Sequence, residues 1–166
     1  MFVLKPISRA SVPNALAKAE RYRLLNEPSE AESICRDVLD VDPHQKQARI
    51  SLVLALTDQI PEDSRAFSEA IANTADLDDE YDRAYYAGIA WERRARARFH
   101  KGGHDANPQT YDWLMRAMEL FEQAEKLRPE GNDDAVLRWN TCVRLLQEHK
   151  EIAPQVADAG AAILSE

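Results

Sequence analysis

Apolar residues at three- and four-residue spacing, in stretches each closed by proline, asparagine or glycine, divide this 166-residue chain into about eight segments. That period belongs to helices burying one stripe each, and no run of alternating β-branched residues offers a sheet in its place. The first segment spans residues 13–25 and is stopped by Asn26, Glu27 and Pro28. Ser29 and Glu32 have capping-box spacing at the start of a second helix, whose face is Ala31, Ile34, Cys35, Val38 and Leu39. Asp42 and Pro43 end it. A third helix carries Ala48, Leu52, Leu54, Ala55 and Leu56 before Pro61, and a fourth, over residues 63–73, carries Phe67, Ala70 and Ile71.

The acids Asp76, Asp78, Asp79, Glu80 and Asp82 lead into a long helix over residues 80–100, where they suit the positive end of its dipole. They lack the glycine and terminal glutamate of a calcium-binding loop. Gly102 and Gly103 end the helix, and residues up to 108 read as a loop. Further helices are expected over 110–127 and 133–149, with a weak Ala-rich one after Pro154.

Composition narrows the function. With 21 Lys plus Arg against 29 Asp plus Glu, the net charge of −8 makes nucleic acid an unlikely partner. No apolar run approaches the ~20 residues of a membrane span, so a membrane partner is not expected. The opening Met-Phe-Val-Leu-Lys-Pro has the wrong order for a secretory signal. Cys35 and Cys142 stand far apart and form neither a redox pair nor a zinc knuckle, so both read as small buried hydrophobes. The expected compartment is the cytoplasm.

Counted back from Pro43 over a 34-residue unit, Ala19 falls at position eight, Tyr22 at eleven, Ala31 at twenty and Pro43 at thirty-two. A unit from Tyr81 has Ala84, Gly88 and Trp91 at four, eight and eleven; after 17 extra residues, Ala117, Phe121, Ala124 and Pro129 fall at twenty, twenty-four, twenty-seven and thirty-two. A weaker unit from Lys46 has Val53 and Leu56 at eight and eleven, but Arg65 where a small residue belongs. Near Asn132 a last helix has Ala135 at four and Trp139 at eight, as in an atypical cap. These positions resemble the tetratricopeptide repeat, in which small residues let two antiparallel helices approach and an aromatic fills the gap.

The resemblance implies an all-α, right-handed solenoid of about three to four antiparallel helix pairs with no sheet. It would occupy residues 12–149, with an insertion about 100–109, an N-terminal extension over 1–11 and an Ala-rich helix or tail over 150–166. It further implies a protein-interaction scaffold whose concave face is lined by the first helix of each pair. In that register the groove takes Leu16, Glu20, Arg23 and Leu24 from the first unit and Ile50, Leu54 and Asp58 from the second. Tyr85, Ile89, Glu92 and Arg93 follow from the third, with Val136, Asn140 and Arg144 from the cap. An amphipathic helix or extended peptide suits this apolar floor and its charged edges. The family's carboxylate clamp, a Lys followed four residues later by Asn, is not matched: Tyr22 follows Lys18 at that spacing.

Three other features compete. Arg93, Arg94, Arg96, Arg98 and Lys101 form a basic stripe, read either as a solvated helix end or as a seat for an acidic peptide or phosphate. His100, His104 and Asp105 around the glycine turn are a weak set of metal ligands, and without a third strong ligand no metal or other cofactor is expected. The apolar strip over residues 2–7 is expected to pack along its own chain or into a neighbour, which leaves a homo-oligomer or a subunit of a larger complex as an alternative. No catalytic constellation is present, so an enzyme is not expected.

Overall fold

The computed structural model describes residues 1–154, and the expected helix after Pro154 lies outside them. Seven α-helices and no strand occur among the described residues. They are α1 (Val12–Leu24), α2 (Pro28–Val41), α3 (Lys46–Gln59), α4 (Ala66–Ala75), α5 (Glu80–Lys101), α6 (Ala106–Leu127) and α7 (Asp134–Glu148), preceded by a 3-10 turn at Arg9–Ser11. Each helix packs on the next in the chain, and α1 also meets α3, α3 meets α5, and α5 meets α7. None is long and apolar enough to cross a membrane.

Two helix starts are capped by side chains, and the start of α2 departs from expectation. The Gln45 side chain accepts the Gln47 and Ala48 amides at the start of α3, and Asp79 accepts those of Tyr81 and Asp82 at the start of α5. The expected capping box of α2 does not form. Pro28 occupies the first turn, where its missing N–H costs nothing, and this moves Ser29 inside the helix and leaves the N-cap to Glu27, which makes no side-chain bond. Glu32 instead holds Arg36 and Gln59.

The long expected loop and insertion over residues 100–109 also shrink. The turn occupies only residues 102–105, and α6 begins at Ala106, so Pro108 lies in its first turn, where a proline is tolerated. Gly102 and Gly103, at φ +65° and +91°, make the reversal. The extra residues therefore lengthen both helices to 22 residues each, about 33 Å.

The core forms two main clusters along the chain. Ala19, Ala31, Cys35, Val53, Leu56 and Ala70 are buried together in the first half, while Ile89, Leu114, Ala117, Phe121, Cys142 and Ile152 are buried in the second. Phe121 is held so close to α5 that a Cβ on Gly88 would lie 2.6 Å from its ring. Ile152, in the turn after α7, folds back into this second cluster.

Burial raises the Cys35 thiol from an ordinary 9.0 to about 11, the Cys142 thiol from 9.0 to about 12 and the Tyr86 phenol from 10.0 to about 12. The folded chain holds these protons to higher pH than the unfolded chain does. The stability they contribute is therefore whole below about pH 9 and is lost as pH rises through about 12. The urea midpoint should fall between about pH 8 and about pH 10.5. Both thiols should resist a disulfide reagent in the folded protein and react at once on unfolding; full reaction without urea would contradict their burial.

Candidate functional site

The odd-numbered helices are tied to one another by charge. Arg23 near the end of α1 donates from Nε to Asp58 Oδ2 on α3 at 2.8 Å. The other carboxylate oxygen of Asp58 takes Arg93 Nη1 from α5, which also donates to Thr57 Oγ1 at 2.6 Å and to the Leu54 carbonyl at 3.3 Å. Next to Arg93 on α5, Glu92 is only 1% exposed. Its carboxylate accepts Arg96 Nε at 2.9 Å and lies 3.4 Å from Arg138 Nη1 on α7. Near the start of these helices, the Lys46 ammonium meets Asp82 across α3 and α5.

Four guanidiniums thus share two carboxylates. Burial lowers the Arg93 pKa; Asp58 opposes that shift, while Arg23 and Arg138 reinforce it, so the two halves of the network feel each other. Burial also pulls Arg138 down, but Glu92 and the Tyr85 hydroxyl outweigh it and the net shift is upward. Within a chain of net charge −8, this face therefore carries a local excess of positive charge.

The expected groove residues divide by exposure. Glu20 and Arg144 are exposed, Leu16 and Asn140 half-buried, and Arg23 and Arg93 lie in the network just described. Ile50 and Ile89 are 7% and 2% exposed, so they are core residues and not contacts for a partner in this conformation. Leu54 and Tyr85 are half-buried against the second cluster, with the Tyr85 ring stacked 5.6 Å from that of Tyr81. The residues expected to form an apolar floor thus belong largely to the core, because adjacent helices close over them. Arg138 and the burial of Glu92 were not foreseen. The four-residue spacing of Glu92 and Arg96 is the one signal of that pair in the sequence.

The competing features find partners within the chain. Of the basic stripe, Arg93 holds Asp58, Arg96 holds Glu92, and Arg98 donates to Gln109 and to the Gly102 and His104 carbonyls. Arg94 lies instead against aromatic rings. The stripe is therefore not a free solvated face. His100 Nδ1 is 2.7 Å from the Arg96 carbonyl and His104 Nδ1 is 2.7 Å from Asp105 Oδ2. No group of three His, Cys, Asp or Glu side chains suited to a metal occurs among the described residues. The acids before α5 are used in capping and pairing: Asp79 caps the helix, Asp76 meets Arg49, and Asp82 meets Lys46.

Most of the N-terminal strip does not pack along its own chain. Phe2, Val3 and Leu4 are 106%, 79% and 82% exposed, and Ile7 is the residue that reaches the chain, against Val12, Val38 and Ala48. Comparison with protein-family models, curated proteins and solved structures finds no match for the chain.

Proposed function

We propose that the protein is a tetratricopeptide-like, right-handed solenoid of helix pairs that works in the cytoplasm as a non-catalytic adaptor. The pairs are α1 with α2, α3 with α4 and α5 with α6, with α7 as a cap. The concave face is the one carried by α1, α3, α5 and α7, and its ligand is an acidic peptide or helix segment of another protein. Contacts between alternate helices support the pairing. The arginine excess along Arg23, Arg93 and Arg138 carries the choice of ligand, because a segment bearing carboxylates would complete pairs that Asp58 and Glu92 leave incomplete. Exposed Glu20 and Arg144 would then fix the register of the segment at the edges.

Selection of displayed peptides on the intact protein tests this reading. Enriched sequences should interleave Asp or Glu with aliphatic residues, and an Arg23→Gln, Arg144→Gln variant should bind them at least about tenfold more weakly, the equivalent of ~1.4 kcal/mol. Equal binding by this variant, or no acidic enrichment, would sink the assignment.

The exposed Phe2, Val3 and Leu4 side chains favour a second reading, in which the protein is a structural subunit that covers this strip by assembly with itself or in a larger complex. A sedimentation coefficient independent of concentration would count against self-assembly.

A further inference from the structure

Arg94 lies on α5 about 100° round from Arg93, on the side where α5 meets α4 and α6. Its guanidinium carbon is 4.1 Å from the centre of the Phe67 ring on α4, 4.0 Å from that of Trp113 on α6 and 5.4 Å from that of Trp91. The Phe67 and Trp91 rings meet edge to face at 4.7 Å, which fixes this wall of the cage. Every other half-buried arginine holds at least one carboxylate or carbonyl oxygen, as Arg23, Arg93, Arg96 and Arg138 do. Arg94 holds none among the described residues. Burial lowers its pKa, and no charged neighbour adds to or opposes that shift.

A guanidinium stacked on rings keeps its faces on the aromatic surface and its rim of N–H groups for hydrogen bonds in its own plane. Three helices hold the cation in place, and no counter-ion among the described residues satisfies it. We propose that this cage is a docking site for a carboxylate side chain of a partner protein, received edge-on by the Arg94 fork, with aliphatic neighbours of that side chain lying on Trp113. Charge favours a carboxylate over a phosphate ester: the cage presents one guanidinium, and that of Arg98, one turn along α5, is engaged with Gln109 and the Gly102 and His104 carbonyls, so a second negative charge finds no free fork there. A carboxylate meets the planar fork in two parallel bonds. The site is separate from the groove of α1, α3, α5 and α7 and stands or falls without it.

The test is a titration of the full chain followed by nuclear magnetic resonance at the Arg94 Nε–H and the Trp113 indole N–H. Three blocked tripeptides serve as probes: Leu-Glu-Leu, Leu-Gln-Leu and Leu-phosphoserine-Leu. The glutamate peptide should shift both signals saturably and bind at least about tenfold more tightly than the glutamine peptide, since only the former gives charge-assisted bonds. An Arg94→Lys variant, which keeps the charge but not the stacked fork, should lose the Trp113 response. The site is refuted by equal responses to the glutamate and glutamine peptides, or by none at about 10 mM, where a site with a Kd near 1 mM would be about nine-tenths filled. Tighter binding of the phosphoserine peptide would overturn the carboxylate assignment. The wild-type comparison decides these points even if the lysine variant fails to fold.

Discussion

Converting both Arg96 and Arg138 to methionine is expected to destabilise the protein by about 3–5 kcal/mol, because it leaves the Glu92 carboxylate buried without a counter-charge. Glu92 is 1% exposed, and Arg96 and Arg138 are the two cations its carboxylate meets among the described residues. After burial itself, the Glu92 charge is the next cause raising the Cys142 thiol to about 12. Adding Glu92→Met to the double variant should recover most of the loss, since an apolar replacement of similar volume removes the desolvation cost along with the charge. Urea denaturation of the double and triple variants measures both effects. A double variant within about 1 kcal/mol of wild type would mean that Glu92 behaves as a solvated surface carboxylate.

The other large effect concerns the contact between α5 and α6. Phe121→Ala should cost about 3–5 kcal/mol through lost burial and the cavity left under a fully buried ring. Gly88→Ala is more diagnostic. At an exposed helix position that change would gain about 1 kcal/mol. Here the new Cβ would meet the Phe121 ring at 2.6 and 2.8 Å, and overpacking of about 1–3 kcal/mol should leave the variant less stable than wild type. Phe121→Leu in the same chain should relieve part of the clash, so the two substitutions together should cost less than the sum of each alone. Strict additivity in thermal or urea unfolding would show that the helices do not touch at this point.

Much of this packing can be read from residue type and spacing. Ala19, Ala31, Gly88 and Ala117 are small because neighbouring helices come close there, and Phe121 fills the space beside Gly88. Boundaries were less legible. Pro28 and Pro108 look like breakers in the sequence, yet both sit in first turns, where a missing N–H has no consequence, so one capping box dissolved and one loop shortened to four residues. Burial was legible where it followed the apolar stripe, and not where charge entered the core. Nothing in the local pattern around Glu92 sets it apart from a surface acid; its burial depends on Arg138, 46 residues away on another helix. Ile50 and Ile89 show the opposite difficulty, since the register gives the face of a helix but not how far the next helix covers it. The Arg94 cage needs Phe67 and Trp113 from separate helices, a juxtaposition that no single segment records.

Photo-crosslinking most directly tests the claim that α1, α3, α5 and α7 form the face that receives a partner. A selected acidic peptide carrying a benzophenone side chain at successive positions is bound to the intact protein and irradiated, and the modified residues are identified by mass spectrometry. The account requires crosslinks on α1, α3, α5 and α7, near Glu20, Arg23, Asn140 and Arg144, lost when Arg23 and Arg144 are neutralised. Crosslinks gathered on α2, α4 and α6 instead, or unchanged by that neutralisation, would contradict it.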